Sequence, residues 1–176
     1  MNADGMERLR SLIRDVPDFP QAGIVFKDIT PLLADEAAFS TVIDVIVVHF
    51  GRGNIDKVVG IEARGFIVAS AVAYHFSAGF VPVRKAGKLP WESESETYEL
   101  EYGTETLEIH KDGLAPGERV LIVDDVLATG GTACATAKLV ERLGAKVVGI
   151  ACIIELGFLG GREKIKDYEF LSLLTY

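Results

Sequence analysis

An apolar run leads directly into two adjacent carboxylates between residues 119 and 132. It reads Val120-Leu-Ile-Val-Asp-Asp-Val-Leu-Ala-Thr-Gly-Gly-Thr132, and its first part has the composition of a buried strand. Helical spacing follows over 131–143, and a second strand pattern covers 146–154. A strand, a loop, a helix and another strand in this order form a right-handed crossover between parallel strands. The pattern therefore predicts an α/β fold.

The same alternation extends over most of the chain. Further strands are predicted at 58–61, 80–83, 98–102, 106–109 and 168–174, and further helices at 6–15, 36–50 and 66–76. Segments 19–33 and 84–97 read as irregular. Because strands alternate with helices, we expect a mostly parallel central sheet flanked by helices. A length of 176 residues predicts a single domain over residues 1–176.

Composition excludes several classes of protein. A formal net charge of −8 argues against a nucleic-acid partner, which requires a basic face. No apolar run reaches the roughly 18 residues of a membrane span, and the first residues are too polar for a signal peptide. Cys134 and Cys152 lie in apolar surroundings and are expected to be reduced thiols. These features predict a soluble, cytoplasmic protein.

Polar and charged groups follow three of the predicted strands. They are Glu62-Ala-Arg64, Arg84-Lys85 and Asp124-Asp125. Ligands of open α/β sheets bind beyond the carboxyl ends of the strands, so we expect these groups to converge on one site. Arg64 is flanked by small residues, so its guanidinium can reach a ligand oxygen with two donors.

The residues after Asp125 favour a phosphorylated sugar as the ligand. Carboxylates accept hydrogen bonds from sugar hydroxyls, and a loop of small residues lets backbone N–H groups close around a phosphate at a helix start. The loop residues are Ala128, Thr129, Gly130, Gly131 and Thr132. A Rossmann site is disfavoured because Gly-x-Gly-x-x-Gly is absent, and the Gly-Lys-Ser/Thr end of a Walker loop is also missing.

These motifs resemble the purine branch of the type I phosphoribosyltransferase family, and its adenine-using members in particular. The resemblance covers nearly the whole chain. Besides the stretch at 120–132, it is carried by Asp18-Phe-Pro-Gln-Ala-Gly-Ile-Val-Phe-Lys-Asp-Ile-Thr-Pro-Leu-Leu33, Gly60-Ile-Glu-Ala-Arg-Gly-Phe66, Val83-Arg-Lys-Ala-Gly-Lys-Leu-Pro90 and Leu100-Glu-Tyr-Gly103. It implies the type I phosphoribosyltransferase fold, with a small N-terminal hood at 1–33 and a flexible catalytic loop.

The resemblance also implies roles for the residues that bind the sugar diphosphate. Asp124 and Asp125 would hold the ribose 2′- and 3′-hydroxyls, and residues 128–132 would hold the 5′-phosphate. The diphosphate loop would be Glu62, Ala63, Arg64 and Gly65, a loop that often contains a non-proline cis peptide in this family. Three cations would neutralise the diphosphate, namely Arg84, Lys85 and Lys88, and Arg64 would assist catalysis.

For the base, the resemblance implies a pocket in the N-terminal segment. Phe26 would stack on one face of adenine and Val126 would cover the other. The backbone at Val25 and Lys27 would read the edge of the base. A polar lid at 89–106 would close over the reactants, with Tyr102 in the lid and Glu101 as the catalytic group that manages the proton of adenine.

The expected reaction transfers the 5-phosphoribosyl group from 5-phosphoribosyl diphosphate to N9 of adenine, giving AMP and diphosphate. Mg²⁺ would be held mainly through substrate oxygens and water, with no direct protein ligand. The family resemblance also implies a homodimer. Two alternatives stay open: the same reaction on hypoxanthine, guanine or xanthine, and a non-catalytic regulator that senses 5-phosphoribosyl diphosphate.

Overall fold

The computed structural model describes residues 3–99 and 103–176 and divides the chain into two compact units, Met1–Val45 and Ile46–Tyr176. The first unit contains helices α1 (Ala3–Ser11) and α2 (Thr30–Ala34), and strands β1 (Arg14–Pro17) and β2 (Val25–Asp28). Helix α3 (Glu36–Phe50) begins in the first unit and ends in the second. The single domain expected from the length stays a prediction.

Strands β1 and β2 pair as an antiparallel hairpin, with Val16 opposite Phe26. The sequence pattern predicts a helix over 6–15 and an irregular segment over 19–33, and both predictions were wrong. The structure ends α1 at Ser11 and starts β1 at Arg14, and it places β2 and the start of α2 inside the second segment. Pro17 restricts the preceding residue to extended backbone, which favours a strand over a longer helix. Lys27 Nζ also donates to Asp15 Oδ1 at 2.6 Å, which joins the two strands at the register the structure shows.

The second unit is built on a seven-stranded sheet. Its strands are β3 (Lys57–Ile61), β4 (Gly79–Lys85), β5 (Ser93–Glu99), β6 (Thr104–His110), β7 (Arg119–Leu127), β8 (Lys146–Glu155) and β9 (Phe170–Thr175), in the order β5-β6-β4-β3-β7-β8-β9. Strands β4, β3, β7, β8 and β9 are parallel, whereas β6 pairs antiparallel with both β4 and β5. Helices α4 (Gly65–Phe76) and α5 (Gly131–Arg142) pack on this sheet. The predicted mostly parallel α/β fold is confirmed.

The central strands are buried because their apolar runs leave no face for water. Residues Val120, Leu121, Ile122 and Val123 in β7 are all inaccessible to solvent. Full burial of such a side chain contributes about 1.5–3 kcal/mol, so the middle of the sheet is a rigid platform for the loops at its edge. None of the described helices has the length and apolar character that a membrane span requires.

The sheet extends further than the sequence pattern predicted. The structure starts β5 at Ser93, inside the segment 84–97 that reads as irregular. This strand lies at the edge of the sheet, and polar side chains occupy both of its faces. Charged edge strands are common because they discourage pairing with other chains, and they lack the apolar alternation that identifies a half-buried strand.

Candidate active site

Three neighbouring parallel strands end at one cavity. The loops that follow β3 and β7, together with the last residue of β4, line a space of about 250 Å³. Its walls include Glu62, Ala63, Arg64, Lys85, Asp124, Asp125, Val126, Ala128, Thr129, Gly130 and Thr132, together with Tyr98 and Glu105 from the hairpin β5–β6. The three groups that the sequence predicted to converge therefore meet at the carboxyl edge of the sheet.

The loop after β3 approaches the end of β7 very closely. A Cβ atom at Gly65 would lie 2.6 Å from Asp124 Oδ1 and 3.2 Å from both Asp124 Cα and the Val123 carbonyl oxygen. Only glycine fits this approach, because any larger residue would push the loop from the carboxylate. The peptide between Glu62 and Ala63 is cis, as the family resemblance implies.

Asp124 and Asp125 form a poorly neutralised acidic pair. Asp125 is 4% exposed, while Asp124 keeps part of its surface open to the cavity and is otherwise enclosed by protein. Burial, followed by repulsion from Asp125, raises the pKa of Asp124 well above its ordinary value. Burial also raises the pKa of Asp125, although the neighbouring Arg64 opposes this.

Among the described ion pairs, the one that involves these two acids joins Asp125 to Arg64. Its Nε lies 2.9 Å from Asp125 Oδ2. That oxygen nevertheless accepts no hydrogen bond from the described residues, so the contact is an ion pair without an aligned donor. Asp124 Oδ1 accepts from the backbone N–H of Asp125 at 2.9 Å. The pair thus retains free acceptor capacity toward a ligand that carries hydroxyl donors.

The small-residue loop after β7 is supported from behind by a second glycine segment. Gly130 has φ +77° and directly precedes helix α5. A Cβ at Gly130 would lie 2.3 Å from the Gly161 carbonyl oxygen, and a Cβ at Gly161 would lie 2.2 Å from the Ala128 carbonyl oxygen. The two backbones touch, so the loop has a fixed shape. Its N–H groups stand at the positive end of a 12-residue helix, where anions bind.

The predicted cations gather around Glu62 rather than lining the cavity together. The Glu62 side chain is 8% exposed, and its Oε2 accepts from Arg84 Nε and from the Lys85 backbone N–H, both at 3.1 Å. Lys88 Nζ forms an ion pair with Glu62 Oε1. Burial alone would raise the pKa of Glu62, but the donors from Lys88, Lys85 and Arg84 outweigh it and lower that pKa. Only Lys85 of the three cations lines the cavity.

Two polar residues of the cavity wall, Tyr98 and Glu105, were missed by sequence reasoning. The Tyr98 hydroxyl donates to Glu105 Oε2 at 2.9 Å, and Glu105 also forms an ion pair with Lys85. Both residues lie in the hairpin, in which Tyr98 is opposite Glu105. The pairing of Tyr98 with Glu105 could not be predicted because β5 begins earlier than the sequence pattern indicates. More and less exposed residues do alternate along this strand.

The predicted base-binding residues belong to both units. Val25, Phe26 and Lys27 form β2 of the first unit, where the Phe26 ring meets Phe19 edge-on with centroids 5.2 Å apart. Val126 lies in β7 of the second unit and lines the cavity. The predicted catalytic residue Glu101 and the lid residue Tyr102 lie outside the described residues.

Comparisons with known proteins identify similar chains. The model of the phosphoribosyl transferase domain family matches residues 29–174. The adenine phosphoribosyltransferase of Acidothermus cellulolyticus is 57% identical, over 98% of this chain and 97% of that protein. The crystal structure of adenine phosphoribosyltransferase from Rhodothermus marinus has a TM-score of 0.96 and 52% identity, over 99% of this chain and 100% of that chain.

A third similar structure contains bound molecules. It is the adenine phosphoribosyltransferase of Saccharomyces cerevisiae, complexed with an imino-altritol 1,6-bisphosphate and adenine. Its TM-score is 0.92 and its identity 41%, over 98% of this chain and 100% of that chain. The similarity thus extends over nearly the full length of each chain.

Proposed function

This chain belongs to the adenine phosphoribosyltransferase family, and we propose how its own residues carry out the family's reaction. The enzyme transfers the 5-phosphoribosyl group to adenine and produces AMP, a step of purine salvage. Of the purines that the sequence left open, the relatives favour adenine, and they also favour an enzyme over a non-catalytic sensor. The observation that supports the residue assignments is the cavity at the strand ends, where Asp125 Oδ2, a carboxylate oxygen without a hydrogen-bond donor among the described residues, lies near a loop that begins a helix.

The sugar phosphate binds between β7 and α5. Asp124 and Asp125 accept hydrogen bonds from the ribose 2′- and 3′-hydroxyls. Asp125 Oδ2 has no hydrogen-bond donor among the described residues, and each carboxylate oxygen can accept more than one hydrogen bond. The loop at 128–132 binds the 5′-phosphate through backbone N–H groups and the Thr129 and Thr132 hydroxyls. The positive end of α5 adds to the attraction. Each charge-assisted hydrogen bond of this kind contributes about 1.5–3 kcal/mol.

The diphosphate binds on the β3 side of the cavity. Arg64 and the backbone at Ala63 and Gly65 contact it, and Lys85 lies on the cavity wall. Arg84 and Lys88 reach it through a rearrangement of their contacts with Glu62, since they bind that carboxylate in the structure. Positive charge near the departing diphosphate lowers the barrier as the bond to C1 breaks.

A magnesium ion would bind at this site mainly through oxygen atoms of the substrate. The described residues contain no group of three side chains that could hold a metal, whereas a diphosphate and ribose hydroxyls supply the oxygen ligands that Mg²⁺ prefers. When bound, the ion neutralises charge on the diphosphate. The protein contributes the carboxylates that orient the ribose and the cations that hold the opposite end.

The family resemblance assigns the adenine contacts to Phe26 and Val126, and it assigns recognition of the edge of the base to the backbone at Val25 and Lys27. Substitution at the anomeric carbon develops positive charge on the ribose, so exclusion of water by the lid protects the reacting carbon from hydrolysis. Glu101 manages the proton of adenine, and Tyr102 is part of the lid. The proposal for these two residues rests on the family resemblance alone.

We also propose that the enzyme is a cytoplasmic homodimer. Both cysteines are free thiols, as expected in a reducing compartment. Large apolar side chains are exposed in the second unit, among them Val48, Ile67, Tyr74 and Trp91, and exposed apolar surface is typical of association faces. Analytical ultracentrifugation tests the dimer, and a single species with the mass of one chain at micromolar concentration would contradict it.

The ribose assignment is tested with Asp124→Asn. We expect 5-phosphoribosyl diphosphate to bind about 100-fold more weakly, because a charge-assisted bond to a sugar hydroxyl is lost. Adenine binding should change less than about twofold. Calorimetry on the wild type, Asp124→Asn and the exposed control Asp112→Asn provides the measurement. Equal losses for both ligands would show that Asp124 does not hold the ribose.

A further inference from the structure

Tyr98 links the edge hairpin to the start of helix α5. Its hydroxyl lies 2.9 Å from Glu105 Oε2 and 2.9 Å from Thr132 Oγ1. Its ring covers the first residue of the helix, since a Cβ at Gly131 would lie 2.9 Å from Tyr98 Cδ2. Tyr98 therefore contacts the loop proposed for the 5′-phosphate, from the strand that runs toward residues 100–102.

The direction of each hydrogen bond among Glu105, Tyr98 and Thr132 follows from their chemistry. The pKa of Glu105 is lowered, because donors from Lys85 and Tyr98 outweigh the effect of burial, so Glu105 is a carboxylate that only accepts. The Tyr98 hydroxyl has one hydrogen, which it donates to Glu105. The bond between Tyr98 and Thr132 can then exist only if the Thr132 hydroxyl donates to Tyr98.

A bound phosphate changes these directions. Phosphate oxygens only accept, so a Thr132 hydroxyl that binds the 5′-phosphate gives its single hydrogen to the ligand. Tyr98 can then keep its contact with Thr132 only by turning its own hydrogen from Glu105 to Thr132 Oγ1. Burial raises the pKa of Tyr98 to about 12, so the hydroxyl holds its proton at neutral pH and remains a donor.

We propose that Tyr98 is a positioning residue that couples occupancy of the 5′-phosphate loop to the hairpin β5–β6, through a switch of its hydroxyl from Glu105 to Thr132. This proposal rests on the proposed function, in which Thr132 contacts the phosphate. The switch keeps the strand that precedes Glu101 attached to the loaded phosphate loop. It also removes one donor from Glu105, the carboxylate that pairs with Lys85 on the diphosphate side.

Ionic contacts along the same face of β5 support the link. Glu94 and Glu96 pair with Arg142, and Glu96 also pairs with Lys138, so helix α5 holds the hairpin at several points. Among these described contacts, the bond of Tyr98 is the one made to a residue of the phosphate loop. It is therefore the contact through which a ligand change in the loop reaches the hairpin directly.

The first test is kinetic and uses Tyr98→Phe, which keeps the ring on Gly131 and removes only the hydroxyl. We expect kcat to fall about tenfold, equivalent to one lost hydrogen bond, while the KM for 5-phosphoribosyl diphosphate changes less than about threefold. Thr97→Val is the matched control, because the Thr97 hydroxyl bonds the Thr106 hydroxyl at 2.8 Å in the same hairpin without a described contact to the loop. An unchanged kcat in Tyr98→Phe, or equal losses in both variants, would overturn the proposal.

The second test is hydrogen–deuterium exchange with ribose 5-phosphate, with unphosphorylated ribose as the reference ligand. In the wild type, the phosphate should slow exchange at 128–136 and also in the hairpin at 93–99, whereas ribose should do neither. In Tyr98→Phe the first effect should persist and the second should be lost. If 128–136 shows no protection in the wild type, the proposed phosphate site is wrong. If that protection occurs but the hairpin response is absent in the wild type or unchanged in the variant, only the role of Tyr98 is wrong.

Discussion

The acids at the ends of two neighbouring strands are in opposite electrostatic states. Glu62 follows β3, is buried, and accepts from two side chains and a backbone N–H group. Asp124 and Asp125 lie near the end of β7, and the nearest described cation is an imperfectly aligned Arg64. The pKa of Glu62 is accordingly lowered, and the pKa of Asp124 is raised. Burial raises the pKa of both acids, but at Glu62 the donors outweigh it, whereas at Asp124 a second carboxylate adds to it.

This contrast separates a structural acid from acids that are available to a ligand. A buried carboxylate whose acceptors are filled gains little from a ligand, and Glu62 instead holds Arg84 and Lys88 near the cavity. A buried carboxylate with unfilled acceptors is costly in the free protein and gains from donors that a ligand brings. The free enzyme therefore carries its electrostatic cost at Asp124 and Asp125, which are the proposed ribose ligands.

Arg64 pairs with Asp125 and lines the cavity, and its removal should have a large effect. Arg64→Ala should lower kcat/KM for 5-phosphoribosyl diphosphate about 100-fold, because the diphosphate loses a charged donor. AMP lacks the diphosphate, so its affinity should fall less than about fivefold, the residual loss reflecting a less neutralised Asp125. Steady-state kinetics and AMP calorimetry measure both, with the exposed Arg52→Ala as control. A collapse of AMP affinity would assign Arg64 to the ribose side.

Glu62→Gln should have an intermediate effect, because it keeps the shape of the side chain and removes its charge. We expect the free energy of unfolding to fall by about 1–2 kcal/mol as charge-assisted hydrogen bonds weaken. The KM for 5-phosphoribosyl diphosphate should rise several-fold because the cations lose their anchor. The matched control is Glu108→Gln, since Glu108 accepts the Gly87 N–H in the same loop and an amide oxygen can replace it. Urea unfolding that is identical for both variants would make Glu62 dispensable to the scaffold.

Part of this site could be predicted from the sequence because it is contiguous. Asp124, Asp125 and the loop at 128–132 follow one another, so an apolar run and a cluster of small residues were sufficient to identify them. The mostly parallel sheet was predicted for the same reason, since each strand and helix has its own local pattern. The close approach of Gly65 to Asp124 follows only from the packing of β3 beside β7.

The missed features all depend on the register between strands. Glu62 contacts its cations because Ile61 lies beside Val83, which brings the residue that follows β3 close to Arg84 and Lys85. Tyr98 and Glu105 meet because they are opposite in an antiparallel hairpin. Neither pairing can be predicted from the sequence of one strand alone. The alternation of inward and outward residues in β5 was the only available signal, and its polar side chains concealed it.

The smallest expected effect concerns stability, and it has opposite signs in the two regions. The pKa of Asp124 is raised on folding, so between the ordinary value of 3.8 and the raised pKa the folded state binds more protons than the unfolded state. The free energy of unfolding therefore falls as pH rises through this range. The lowered pKa of Glu62 gives the reverse, with stability that is lost as pH falls. Asp124→Asn should therefore stabilise the free enzyme by about 1 kcal/mol near pH 8 while it impairs substrate binding.

The advantage of Asp124→Asn should shrink as pH approaches 4, because the wild-type carboxyl is then protonated and equally uncharged. The asparagine Oδ1 can still accept the Asp125 N–H, so the variant loses no backbone contact at this position. Calorimetric melting of the wild type, Asp124→Asn and Asp112→Asn at pH 4.5, 6 and 8 measures the difference at matched pH. A difference that is constant with pH, or a variant that is less stable at pH 8, would show that Asp124 is as well compensated as Glu62 and would remove the contrast between the two strand ends.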